Sequence, residues 1–431
     1  MSIESQPRFF EQNGQMKITL KDTKPYPIWL AEDGCFSNYY RVTLPARMTG
    51  GRVNHTVQIM HDGRSSTVDL FDEEQCKWFA TLPEVTMLGL GTPTVIPVGQ
   101  IFKRRPSWLR ILGGLRDCGA RIFLESDDDL WCFYSPENLS KLFKTELEKR
   151  RISIVEQVKE SLLFSGLFGI GERDIAAIVE SRLQKIAAET SVAALSEWAA
   201  LIGLATPICS TERLRNVILR HGAETVAVAP NVIDPADFQS TPRMGDIVRV
   251  GYAGTQTHKR DMHLVIPTLL ELSKLPHVEI VFFGFHPLFH ETRVLGKYVS
   301  EGLRYTYGGH LDFHEFCRQI GVLDISLAPL LDTPLNASKS PQKWFEASMN
   351  RTALVLSDSP VYDCVEHGVT GFKAKDAGEF TRYLKLLVDT ELRRRMGEAA
   401  RETVLMRHTT AQWTDHWRRA IGVENAVLET V

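Results

Sequence analysis

The chain has 431 residues, 50 basic and 53 acidic, with a formal net charge of −3. That length exceeds what one core usually supports and predicts two domains of about 200 residues each. The balanced charge excludes a global pull toward nucleic acid or membrane, while a local basic groove is compatible with it. Seven cysteines (Cys35, Cys76, Cys118, Cys132, Cys209, Cys317 and Cys364) are scattered, odd in number and never spaced Cys-x-x-Cys, so neither a disulfide framework nor a zinc site is expected. With no basic-then-apolar leader and no apolar run near the length of a membrane span, the expected setting is the cytoplasm.

Residues 1 to about 15 are polar and aperiodic and read as a loosely docked tail. Lys17 to Lys21 and Pro27 to Ala31 are strand-like, and the second leads into Asp33-Gly34-Cys35-Phe36-Ser37-Asn38. Asn38 is placed to cap a helix from Tyr39 toward Met48 that Pro45 kinks or shortens and Gly50-Gly51 closes. Strand, loop, helix at the head of a domain opens a doubly wound α/β fold, whose post-strand loops line the ligand crevice. Phe36, Tyr39 and Arg41 are therefore candidates to face an acceptor cleft. The competing reading makes Tyr39 and Tyr40 packing residues.

His55 to Met60 and Val85 to Leu90 read as strands, Ser107 to Asp117 as a helix with Trp108, Leu109, Leu112 and Leu115 inward, and Ala120 to Leu124 as the strand it feeds. Glu125-Ser126-Asp127-Asp128-Asp129 then puts four carboxylates at a strand end. Three readings are open: a site for a hard cation, a general base or acceptor-orienting group, or a helix cap without chemistry. A cleft role for Asp127 or Asp128 is favoured. Ser140 to about Ala205 predicts two to four helices broken near Gly166 to Gly171, with an apolar patch from Leu162 to Phe168. Thr206 to Cys209 is expected as the last strand of this half, followed by a helix to Arg220 and a proline-marked linker, Ala229 to Pro235.

Val248 to Gly254 begins the second half as a strand ending in glycine, followed by a loop, Thr255 to Arg260, and by Asp261 as cap of a helix from Met262 to Leu272. Gly254 allows close backbone approach to a phosphate, and His258 and Lys259 bring charge to it. Val278 to Phe283, Leu311 to Ile320 and Ile325 to Pro329 repeat strand, helix, strand at βαβ spacing, which predicts a second parallel sheet. Ser340-Pro341 marks a helix start, with Ser340 as cap and Pro341 as first residue. Lys339 precedes that start and Lys343 lies in its first turn, so two cations and a positive helix end converge where a phosphate fits. Glu346, three residues after Lys343, shares its face at a depth that suits a ribose diol; the plainer reading is an exposed ion pair. A buried strand from Ala353 to Leu356, a short helix from Pro360 to Glu366 and a glycine turn into Phe372 follow. Helices are expected from Glu379 to Val388, Thr390 to Leu405 and about Thr410 to Ile421, the last crossing back onto the first domain.

Asn336 to Phe372 resembles the nucleotide-sugar-binding segment of GT-B glycosyltransferases, specifically the large retaining family whose Glu-x7-Glu motif precedes a small-residue turn and a strand. Glu346 matches the second Glu of that motif. Ser338 stands where the first Glu would be, within Asn-x-x-Lys-Ser-x-x-Lys-x-x-Glu (Asn336 to Glu346), a pattern similar to that of bacterial and phage members. Tyr40 to Ala46 is similar to the amino-terminal signature of some members, Ala229 to Pro235 resembles the interdomain hinge, and Glu366 and Gly371 match positions near the end of the donor motif.

The resemblance implies an α/β fold of two Rossmann-like domains facing each other across a cleft. The expected division is 1–232, with a helical insertion at about 140–205, then 233–409, then a carboxy-terminal helix in 410–431. It implies a hexosyl- or pentosyltransferase that moves a sugar from a UDP- or GDP-linked donor to a hydroxyl with retention, without a cofactor and without a metal ion. Gly254, Thr255, His258, Lys259, Asn336, Ser338, Ser340, Glu346 and Glu366 would bind the donor, Lys339 and Lys343 would stabilise the departing diphosphate, and Asp127 or Asp128 would act on the acceptor. The acceptor is a glycan, a protein or a modified DNA base. The last predicts a basic groove built by Lys103-Arg104-Arg105 and Lys149-Arg150-Arg151. Two other functions fit the same fold: a nucleotide-sugar 2-epimerase, and a degenerate module that binds without turnover.

Overall fold

The structure is a computed structural model, and the residues it describes are 17–21, 26–31, 39–88, 93–97, 105–141, 172–238, 246–255, 258–285, 293–309 and 311–423. The first domain is built on a six-stranded parallel sheet whose strands lie, edge to edge, in the order Ala227–Val228, Thr206–Cys209, Ile122–Ser126, Thr94–Pro97, Ile28–Leu30 and Arg52–Asn54. Its central strands are continuous apolar runs because both faces are covered: Ile28, Trp29 and Leu30 are all buried, as are Val95, Ile96 and Leu124. Thr94–Pro97 has no counterpart among the strands expected from sequence. It is four residues long, follows Pro93 and ends at Pro97, too short for a periodic signal.

The strands expected near His55 and Val85 do form, as Thr56–His61 and Glu84–Leu88, but in a separate sheet with Lys17–Lys21 and Arg64–Asp69. There Thr56–His61 and Arg64–Asp69 make an antiparallel hairpin closed at Asp62 and Gly63, both at positive φ (47° and 70°), as the turn that matches strand twist requires. Thr206–Cys209 is not the last strand of its domain, since Ala227–Val228 pairs beside it. In the part of the stretch expected to be helical that is described, Glu172–Leu204 is one helix of 33 residues; residues 142–171, with the Leu162 to Phe168 patch and Gly166 to Gly171, lie outside the described residues.

The second domain carries a six-stranded parallel sheet in the order Thr306–Tyr307, Val278–Phe283, Val248–Ala253, Ile325–Ala328, Ala353–Ser357, Phe372–Ala374. Counted along the domain this is 3-2-1-4-5-6, the dinucleotide-fold order, in which ligands bind beyond the carboxyl ends of the strands where the winding reverses. The reversal falls between Val248–Ala253 and Ile325–Ala328, paired through Val250 with Ile325 and Gly251 with Ser326.

Tyr39–Thr43 is a π-helical turn that runs into the α-helix Leu44–Thr49. Pro45 sits in the first turn of that helix, where its missing N–H costs nothing, so it marks a junction and not an end. The helix stops at Gly50, whose φ of 72° is the left-handed conformation that terminates helices. At the other end of the chain, Thr410–Ala420 packs on this helix and on the linker. Trp417 Nε1 donates to the Pro230 carbonyl (3.1 Å), and Arg121 Nη2 donates to the Gly422 carbonyl (3.0 Å). Each domain has its own apolar core, and a third cluster is continuous across both, including Tyr39, Tyr40, Phe313, Trp344 and Trp417. No helix among the described residues is long and apolar enough to cross a membrane.

Candidate functional site

A cavity of about 260 Å³ opens at the winding reversal of the second sheet and is closed on its far side by the first domain. Gly254, which follows the first strand of this sheet, forms its floor. A Cβ there would lie 2.5 Å from Tyr252 Oη and 2.6 Å from Lys343 Nζ, so only glycine leaves room for the lysine to reach the strand end. Lys343 Nζ donates to the Ala253 carbonyl (2.5 Å) and lies 4.7 Å from the centre of the Tyr252 ring. Burial depresses the Lys343 pKa to about 8, and Glu346 opposes that shift.

Lys343 belongs to the helix Gln342–Met349, whose start differs from expectation. Pro341 occupies the cap position and Ser340 does not cap: its Oγ accepts instead from Asn231 Nδ2 in the interdomain linker (2.8 Å). Among the described residues no side chain caps this helix end, which faces the cavity through Ser340, Gln342 and Lys343. Glu346, one turn on, is buried and not an exposed partner of Lys343. Its Oε1 accepts from Tyr40 Oη of the first domain at 3.1 Å. Burial pushes its carboxyl up to about 7, with Lys343 and Tyr40 pulling the other way.

Asp261 is not a helix cap. It opens a 3-10 turn, Asp261–Leu264, before the helix Ile266–Leu272, and its buried carboxylate ties three loops together. Oδ2 pairs with His258 Nδ1 (2.8 Å), while Oδ1 accepts from the Leu331 backbone N–H (2.8 Å) and from Asn336 Nδ2 (2.9 Å). His258 is held below the usual imidazole value by burial; Asp261 opposes this, and Lys343 and Lys339 reinforce it.

The acidic run of the first domain divides by role. Asp129 caps the short helix Leu130–Phe133, accepting from the Cys132 N–H (3.1 Å). Asp127 and Asp128 line the cavity. Asp128 Oδ1 pairs with Lys339 Nζ across the domain gap (3.2 Å), and Asp127 lies 3.4 Å from Asn231 Nδ2. Glu125 is buried against Arg41. Among the described residues no three His, Cys, Asp or Glu side chains converge as ligands for a metal ion.

The structure therefore brings together Asp127 and Asp128 from one domain with Gly254, Thr255, His258, Lys339, Ser340, Lys343 and Glu346 from the other. Four candidates stand elsewhere. Asn336 is buried behind the site on Asp261, and Ser338, also buried, bonds through Oγ to the Pro334 carbonyl (3.2 Å) while its own carbonyl accepts from Thr211 Oγ1 (3.0 Å). Lys259 lies in the turn after His258 without lining the cavity, and Glu366 is exposed. On the acceptor side Phe36 lies outside the described residues, and the two others point away from the cavity. Tyr39 stacks on Phe313 (3.5 Å between ring centres) and donates to Asp237. Arg41 Nε donates to Glu125 Oε1 (2.6 Å), its Nη1 to the Ala229 carbonyl (2.6 Å) and to Asn231 Oδ1 (3.0 Å), and its guanidinium lies 4.9 Å from the Trp417 ring centre. The side chains of Lys103 to Arg105 and Lys149 to Arg151 fall outside the described residues.

Residues 268–419 match a family model described as glycosyl transferase-like. Among solved structures the chain is similar to HepE of Anabaena in complex with UDP-glucose, at a TM-score of 0.55 and 12% identity over 95% of this chain and 100% of that one. It is similar also to sucrose-phosphate synthase of Thermosynechococcus elongatus, at a TM-score of 0.50 and 15% identity over 95% of this chain and 100% of that one. The fold is GT-B. No curated protein matches the chain.

Several residues of the site carry no sequence signal for this role. Tyr40, behind Glu346, stands beside Tyr39 and reads as packing, and the lining residues Phe316 and Tyr362 stand at positions like any other core aromatic. Asn231 has a faint one: it is the single amide in a proline-bounded linker.

Proposed function

We propose that this protein transfers a glycosyl group from a nucleotide-sugar donor, UDP-linked, to a hydroxyl acceptor with retention at the anomeric carbon. The observation that carries the reading is the convergence, in one interdomain cavity, of Lys339, Lys343 and an uncapped helix start with the buried Glu346, opposite Asp127 and Asp128. The match of the second domain to a glycosyl transferase-like model supports it, as does the likeness to a fold solved with UDP-glucose.

In this reading Lys339, Lys343 and the backbone at Gly254 stabilise the charge that develops on the departing diphosphate, the kind of interaction that is usually the largest catalytic contribution. Lys343, with its pKa near 8, is mostly charged at neutral pH, and a bound diphosphate draws it further up. Glu346 accepts from the ribose diol. Asp127 and Asp128, on the opposite wall, orient the acceptor hydroxyl.

A thermal-shift series with UDP, UDP-glucose, GDP and ADP, run on the wild type and on Glu346→Ala, tests this. One nucleotide class should stabilise the wild type, by about 2.7 kcal/mol at a hundredfold excess over its Kd, and Glu346→Ala should lose most of that gain. Absence of any shift in the wild type sinks the donor assignment. Sugar release from the stabilising nucleotide, followed with and without candidate acceptors, then separates transfer from epimerisation.

A further inference from the structure

Glu346 is the carboxylate assigned above to the donor ribose, and the proposal here rests on that assignment. Across the domain gap its Oε1 accepts from the Tyr40 hydroxyl, 306 residues away in the chain. Both side chains are buried, at 4% and 6% exposure. Burial holds the Tyr40 phenol well above its usual pKa, so across the physiological range it is a neutral O–H that can donate to the carboxylate.

The Tyr40 ring is not free to turn. Tyr39 meets it edge-on (5.5 Å, 86°), and so does Phe313 of the second domain (5.3 Å, 88°). Tyr39 itself stacks flat on Phe313, which closes an aromatic triad drawn from both domains. The direction of the Tyr40 hydroxyl is thus set by how the domains meet. A carboxylate offers about four lone-pair sites, so one bond to Tyr40 leaves capacity for two vicinal hydroxyls from the cavity that Glu346 lines.

We propose that Tyr40 is a positioning residue: gripped by the interdomain aromatic triad, it fixes the Glu346 carboxylate to accept from the vicinal hydroxyls of a nucleoside diphosphate, so that the ribose is read in full only with the two domains together. The second domain alone then holds the diphosphate through Lys339, Lys343 and Gly254, and the first domain adds discrimination for ribose. Tyr40 touches no reacting atom and acts through Glu346.

The test is calorimetric titration of UDP and of 2′,3′-dideoxy-UDP into the wild type, Tyr40→Phe, Phe313→Leu and Glu346→Gln. The wild type should favour UDP by about tenfold or more, the factor that one hydrogen bond to a charged group carries. Tyr40→Phe keeps the ring and removes only the donor; it should cut that preference to about threefold or less while leaving dideoxy-UDP affinity within about twofold. Phe313→Leu loosens the ring without touching a hydrogen-bonding group and should reduce the preference in the same direction. It also serves if Tyr40→Phe proves unstable. Glu346→Gln should lose the preference outright. An unchanged preference in Tyr40→Phe overturns the proposal, and so does an equal loss for both nucleotides, the signature of a general structural defect. If the wild type binds UDP without favouring it over the dideoxy form, the ribose role of Glu346 falls; if it binds neither UDP nor GDP, the donor assignment itself falls. Either result takes the proposal with it.

Discussion

Arg41 was a candidate to face an acceptor and instead braces the interdomain linker, so its replacement should cost stability before it costs chemistry. Arg41→Ala removes three charged hydrogen bonds, to Glu125, Ala229 and Asn231, and strips a buried carboxylate of its counter-charge. Breaking a buried pair in this one-sided way costs about 3–5 kcal/mol, a large share of the roughly 5–15 kcal/mol that holds a domain folded. The loss depends on pH in a definite direction. Burial raises the folded Glu125 pKa from 4.5 to about 7, against the pull of Arg41. A raised folded value means the native form binds the proton more tightly. The contribution of Glu125 to stability is therefore complete below about 4.5 and is lost as pH rises through about 7. At about pH 5.5 Glu125 is mostly protonated, and Arg41→Ala then forfeits only hydrogen bonds and packing, about 2 kcal/mol. At about pH 8 the carboxylate is ionised beside Arg41, and its removal should cost about 4 kcal/mol. Urea unfolding followed by tryptophan fluorescence at both pH values measures the pair, and Glu125→Gln in the same series should flatten the pH slope. A loss at about pH 8 below about 1 kcal/mol, or one independent of pH, refutes the reasoning.

Two further changes probe the hinge and the cavity floor. Trp417→Ala deletes a fully buried indole together with its bond to the Pro230 carbonyl and its contact with Arg41. It should cost about 3–5 kcal/mol in a thermal or urea melt, and a near-neutral result would mean that the last helix does not dock as described. Gly254→Ala places a methyl group 2.6 Å from Lys343 Nζ and 2.5 Å from Tyr252 Oη. It should weaken UDP binding by about tenfold or more, the scale of one charged contact, and, because the buried Tyr252 ring must also give way, it should cost about 1–3 kcal/mol of stability. Wild-type UDP affinity in this variant would contradict the placement of the diphosphate at Gly254.

The second-domain half of the cavity is legible because it is local. Lys339, Ser340, Lys343 and Glu346 fall within eight residues, and helix spacing alone puts Lys343 and Glu346 on one face. The repeat of strand and helix after Val248 likewise announces a parallel sheet, although not the 3-2-1-4-5-6 order that creates the crevice. What stays hidden is whatever depends on distant chain. Asp261 stands before an apolar run and so imitates a cap; its partners Leu331 and Asn336 come 70 and 75 residues later. Ser340 has the sequence setting of a cap, but Asn231 claims its hydroxyl. Arg41 looks like a cleft residue because it follows a post-strand loop, and only the meeting of Glu125, Ala229 and Trp417 around it shows a buried post. The acidic run could be read three ways because capping and lining need the same residue type, and here neighbours in sequence take different jobs.

The contacts between the domains differ in kind from hinge to mouth, and that difference says how the molecule can move. At the hinge, Ile233 and the start of the last helix exchange backbone bonds: Ile233 N–H donates to the His408 carbonyl and Thr410 N–H to the Ile233 carbonyl, each at 3.0 Å. Arg41 can only donate, so Oδ1 of Asn231 must face it, and Nδ2 is thereby turned toward Ser340 and Asp127. Apart from Arg41 Nη2, the buried polar atoms of this cluster are hydrogen-bonded to one another, so separating them would expose unpaired polar atoms at about 1–3 kcal/mol each. At the mouth, the Lys339–Asp128 pair is partly exposed, with 26% and 53% of its side chains open to solvent, and such pairs contribute about 0–1 kcal/mol. The weaker contact is the one nearer the ligand path. A separation of the domains would therefore begin at Lys339 and Asp128, with the Arg41, Asn231 and Trp417 cluster as the pivot. In the proposed function, a diphosphate that competes for Lys339 would meet little resistance there and would free Asp128 as it binds.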